Sequence, residues 1–177
     1  MGDVMRKWFM SSAWALVAAG LLAGSGAASA DVRQVDWHNA EFEVPEVGSC
    51  PRQVVSFTDG AGEAGERVYR FTPDKPIGYA DVTGEGVEDV LILMECGPRE
   101  AEYSRALIAM TTDPGGIEPQ TLGTVVSPPV WTQVPEEYQV FHGDIAVWIT
   151  DFDTGQGHTE HYRWASSAKA FLRIDGQ

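Results

Sequence analysis

From residue 41 onward, apolar residues come in short runs broken by turn-forming residues, at the spacing of strands rather than helices. In Asp144–Asp151, Ile145, Val147 and Ile149 alternate with Ala146, Trp148 and Thr150. That two-residue period puts the sets on opposite faces of one strand. Both sets are largely apolar, which predicts a central strand with Trp148 in the core. Val90 to Met94 is continuously apolar, short for a helix and bounded by glycines. It predicts the most buried strand of the fold. The same reading places strands over 41–44, 53–58, 67–72, 78–82, 89–95, 105–111, 120–126, 138–141, 158–164 and 170–174.

Between these runs lie "TDGAGEAGE", "TPDKP", "TGEG", "CGPRE", "TDPGG", "SPPV", "HGD", "DTGQG" and "SSAK", all rich in turn formers. Their regular recurrence predicts a mostly-β fold: a single-domain antiparallel sheet, a sandwich or a partly open barrel, with little helix. The best helical stretch is 99–106, after Pro98. Pro128, Pro129 and Pro135 predict a rigid excursion over 127–137 rather than a strand.

The first thirty residues read differently. Arg6 and Lys7 precede an apolar stretch ending in "GSGAASA", and Ala28-Ser29-Ala30 has the small-x-small form that signal peptidase cleaves. Residues 1–30 are expected to be a signal peptide, and residues 31–177 a secreted, extracellular domain. The apolar stretch is too short and interrupted to span a membrane well, so no span is expected after its removal. Without Asp3, Arg6 and Lys7 there remain 25 acidic and 10 basic residues, a formal net charge of −15. Such a surface repels nucleic acid and anionic lipid, and attracts divalent cations. The two cysteines, Cys50 and Cys96, allow one pairing, and an oxidising compartment makes a disulfide the default.

Candidate chemistry concentrates in "YADVTGEGVEDVLILMEC", residues 79–96. With Asp81 as position 1, oxygen-bearing side chains fall at positions 1, 3, 5 and 9: Asp81, Thr83, Glu85 and Asp89. Gly86 stands at the bend, and Val87 offers a carbonyl at position 7. Calcium takes oxygen ligands spaced in this way on a tightly curved loop. Ile92 occupies position 12, where an EF-hand carries glutamate, so the loop is not an EF-hand. The plainer reading is a turn in which Asp81 and Thr83 cap backbone N–H groups and Gly84 and Gly86 supply positive φ.

The stretch "DVTGEGVEDVLIL" resembles the acidic hairpin of FG-GAP and VCBS-type repeats, in which D-x-[DN]-x-D-G-x-x-D precedes an apolar strand. That resemblance implies a calcium-binding hairpin. It occurs once, and a propeller needs several such repeats, so it extends to the local hairpin and not to the whole fold. More broadly, "VDW" at 35–37, "SCP" at 49–51, "YADVTGEG" at 79–86, "TLG" at 121–123 and "YRW…FLRIDG" at 162–176 are similar to small secreted proteins of high-GC Gram-positive bacteria. The similarity implies export and a β-rich fold, with no activity attached.

Other chemistry is sparser. A strand over 158–164 would put His158, Glu160, Tyr162 and Trp164 on one face. With Asp151 or Asp153 across the hairpin, His158 and Glu160 suggest a zinc site or a hydrolase, against the plainer reading of a polar hairpin rim. The sequence holds no GxSxG elbow and no CxxC pair. Trp131, in the proline-rich excursion, is the candidate surface aromatic; Trp37 is expected to pin the N-terminus, and Trp164 to lie in the core. The expected function is a non-catalytic extracellular or wall-associated interaction module whose partner is a protein or wall polymer. The alternatives are a carbohydrate or cell-wall-polymer binder using Trp131, and a secreted hydrolase.

Overall fold

The computed structural model describes residues 31–113 and 118–176. The expected signal peptide, residues 1–30, lies outside the described residues. The strands are β1 (Glu41–Val44), β2 (Gln53–Ser56), β3 (Ala61–Ala64), β4 (Arg67–Phe71), β5 (Gly78–Ala80), β6 (Asp89–Pro98), β7 (Ser104–Thr112), β8 (Pro119–Val126), β9 (Gln133–Phe141), β10 (Asp144–Asp151), β11 (Gln156–Ala165) and β12 (Ala170–Arg173). Single 3₁₀ turns at Val32–Gln34 and Trp37–Asn39 precede them, and no α-helix occurs among the described residues.

The fold is mostly β, and its strands pair antiparallel throughout. The central sheet runs β3-β4-β6-β7-β8, with β5 also paired to β6. A second sheet runs β12-β11-β10-β9, and β1 and β2 form a separate ribbon. Among the described residues the sheets are open and no barrel closes. β6 explains the arrangement. Its Val90, Ile92 and Met94 pack against Trp37, Phe42, Val55 and Phe57 of the N-terminal layer. Its Leu91 and Leu93 pack on the other side against Ile145, Val147 and Ile149 of β10. A strand covered on both faces must be apolar at successive positions, which is why the 90–94 run does not alternate.

Cys50 and Cys96 are bonded, with their Cα atoms 6.2 Å apart. Cys50 lies in the turn after β1 and Cys96 in β6, so the disulfide fastens the N-terminal layer to the central sheet. Trp37 is buried and donates its indole N–H to the Val32 carbonyl at 2.9 Å, pinning the start of the domain.

Four expectations are corrected. Residues 99–106 form no helix: a turn follows Pro98 and β7 begins at Ser104, because Arg105 and Ala106 must pair with Glu95 and Met94. The loop expected over 58–66 contains β3. The excursion over 127–137 ends early, since β9 starts at Gln133. β9 is an edge strand, where Pro135 sits opposite Ile149 at a bulge, so its missing N–H breaks no ladder. Trp148 is not in the core. β10 is central within its sheet, but only its Ile145, Val147 and Ile149 face is covered, and Trp148 is 45% exposed on the other.

Candidate functional site

The 81–89 segment is the turn of the β5–β6 hairpin. Asp81 Oδ1 accepts the N–H groups of Gly84 (2.7 Å) and Glu85 (3.2 Å), and Oδ2 accepts that of Gly86 (2.8 Å). Asp89 is almost fully buried, and its Oδ2 accepts from Val82 N–H (3.0 Å), Thr83 N–H (3.1 Å) and the Thr83 hydroxyl (3.1 Å). Gly84 and Gly86 have φ of +79° and +80°, a backbone that side chains resist. Burial pushes the Asp89 carboxyl above its ordinary value, opposed by the hydrogen bonds from Val82, Thr111 and Thr83. The turn thus gathers Asp81, Thr83 and Asp89, while Glu85 and Val87 stand on its exposed rim. Among the described residues no three His, Cys, Asp or Glu side chains are grouped as a metal ion would need. The second acidic turn works alike: Asp151 Oδ1 accepts the N–H groups of Asp153 (3.0 Å) and Thr154 (3.2 Å).

On β11, period two puts Glu160 and Tyr162 on the buried face, while His158 on the same side is exposed. His158 Nε2 lies 3.1 Å from Glu160 Oε1, and the same oxygen takes a hydrogen bond from Arg173 Nη1 on β12. The Tyr162 hydroxyl donates to Glu160 Oε2. Burial, with the neighbouring Glu160, pushes the Tyr162 phenol well above its ordinary value. Glu160, Tyr162 and Arg173 line a cleft of about 430 Å³ against Val126, Pro128 and Ile149. Sequence reasoning paired His158 with Glu160 but missed Arg173, which reaches Glu160 because Tyr162 pairs with Arg173 across the sheet. Asp151 is held in its own turn, where the Gln133 side chain also reaches it at 3.4 Å.

Behind Pro128 and Pro129 lies a second hollow of about 560 Å³, bordered by Ser49, Ser104, Thr124 and Trp131. Trp131 is 54% exposed beside these prolines, as the sequence suggests. Trp164 is half-buried, its ring 5.0 Å from that of Phe171. Trp148 is the aromatic that sequence reasoning misplaced. Its indole leans across to β11 and lies over Gly157: a Cβ there would stand 2.3 Å from Trp148 Cζ2 and 2.8 Å from Cε2. Gly157 reads as part of a turn, yet it lies inside β11 opposite Thr150. A glycine within a strand marks a close approach, and that signal was present in "GQGHTE".

Comparison with known proteins returns no match: no family model, no curated protein and no solved structure is significantly similar to this chain.

Proposed function

We propose that the chain is exported and acts as a non-catalytic binding module, an extracellular or wall-associated domain that holds a wall polymer through exposed aromatic side chains. The observation that carries this reading is the setting of the two tryptophans exposed among the described residues. Trp131 stands beside Pro128 and Pro129, and Trp148 lies over Gly157 on a central strand. Rigid, exposed indoles lose little conformational freedom on binding, which is why such residues dominate contact surfaces. Export is supported by the composition of residues 1–30 and by the Cys50–Cys96 disulfide. The hydrolase reading has less support, because the Glu160 carboxylate is taken up by Arg173, Tyr162 and His158 and presents no free base.

Co-sedimentation with purified bacterial cell walls tests the reading. The protein is expected to pellet with the walls, and the Trp131→Ala/Trp148→Ala double variant to bind at least tenfold more weakly. The walls should release no soluble fragments. Protein that stays in the supernatant, or fragment release lost in Glu160→Gln, would contradict it.

A further inference from the structure

The outer face of the β9–β12 sheet carries an arrangement that the wall-binding reading does not itself specify. Trp148 lies between Glu137 on β9 and Thr159 on β11, each directly opposite it in register. The next row along the same face is Gln139, Ala146 and His161. Glu137, Gln139 and Thr159 are exposed, and with Ala146 and the indole they line a groove of about 290 Å³. The six-membered ring of the indole lies against the backbone at Gly157, and the side chain is 45% exposed.

We propose that Trp148 is the stacking platform of a subsite for a neutral, linear oligosaccharide. The proposal rests on the binding-module reading and names its ligand. A pyranose ring presents C–H groups on its faces and hydroxyls around its edge. A flat indole fits the faces, and carboxylate, amide and hydroxyl groups at the indole's margin fit the edge. That is the chemistry around Trp148: one apolar plate with a few polar groups beside it. Charge decides the class. The chain carries a formal net charge of −14, and Glu137 lies in the groove itself, so an anionic polymer is repelled.

A protein partner fits this face less well, because its other large apolar groups do not join Trp148 into one patch. Phe141 and Leu172 lie two rows from it, beyond Gln139, Ala146 and His161, and the Asp144–Arg163 ion pair separates them from each other. Phe141, 74% exposed and about 13 Å further along the strands, stands where a longer chain would make a second contact.

Titration calorimetry with cellohexaose and chitohexaose tests the subsite. At least one hexaose should bind the wild-type protein. Trp148→Ala should weaken that binding at least tenfold, and Val54→Ala, an exposed apolar residue on the separate β1–β2 ribbon, should leave it unchanged. Gly157→Val keeps the indole but fills its seat, and should weaken binding equally with the circular dichroism spectrum intact. Wild-type affinity in both Trp148→Ala and Gly157→Val would overturn the proposal, as would the absence of binding to either hexaose at millimolar concentration. If the hexaoses fail while the protein still pellets with cell walls, the glycan subsite falls and the binding module stands. If both fail, both readings fall. Trp148-dependent binding to a wall protein in place of the hexaoses would also overturn the subsite.

Discussion

Asp89 shows how one carboxylate organises a turn. It is almost fully buried, yet its Oδ2 receives three hydrogen bonds from Val82 and Thr83. Replacing it with alanine leaves two backbone N–H groups and a hydroxyl without their acceptor. Asp89→Ala is expected to cost about 3 kcal/mol in chemical denaturation, whereas Glu85→Ala, on the exposed rim, should change stability by less than about 0.5 kcal/mol. Calcium is tested on the same turn. Because both Asp81 oxygens and Asp89 Oδ2 already accept backbone N–H groups, the melting temperature should be the same in millimolar calcium and in chelator. A calcium-specific rise lost in Asp81→Asn would show an ion at Asp81, Thr83, Glu85, Val87 and Asp89 instead. At this scale the sequence is legible where a residue acts on its own neighbours. Asp81 and the two glycines could be read as a turn because their partners lie within five residues. Trp148 could not, because its environment depends on which face of β10 the central sheet covers.

Among the elements, β6 was the most readable, and β3 and the first half of β9 the least. Five successive apolar residues require cover on both sides, and β6 has it. β9 hides behind Pro135, which ordinarily argues against a strand and is tolerated here only because it falls at an edge and a bulge. β3 hides for a different reason. Ala61, Gly62, Glu63 and Ala64 have little strand propensity, and it is pairing with β4 along their length that holds them extended. The Cys50–Cys96 bond ties two such elements together across a sequence separation of 46 residues. In the chain-entropy picture, opening a loop of that length costs about 4 kcal/mol. The Cys50→Ala/Cys96→Ala double variant should therefore unfold at markedly lower denaturant concentration. An unchanged midpoint would mean that Val44, Val47 and the rest of the N-terminal cluster dock without the covalent tie.

Across the whole molecule, three layers share one central sheet, and the apolar face of each outer layer is consumed in the two cores. What remains outside is acidic and punctuated by aromatics, Trp131 beside its prolines and Trp148 over its glycine. The antiparallel β class and the disulfide were legible because alternation, turn residues and a single cysteine pair are local or forced. The stacking of the sheets, and with it the exposure of Trp148, was not, because both β10 faces are mostly apolar in sequence and only tertiary contact distinguishes them.

The most direct measurement is a two-dimensional amide NMR titration of the ¹⁵N-labelled protein with solubilised cell-wall fragments. It follows the indole N–H signals of Trp37, Trp131, Trp148 and Trp164. A binding module should show Trp148, Trp131 or both shifting with fragment concentration, Trp37 and Trp164 unmoved, and fragment spectra that do not change over hours. Fragments that are cleaved, or indole signals that all stay in place at saturating fragment, would contradict it.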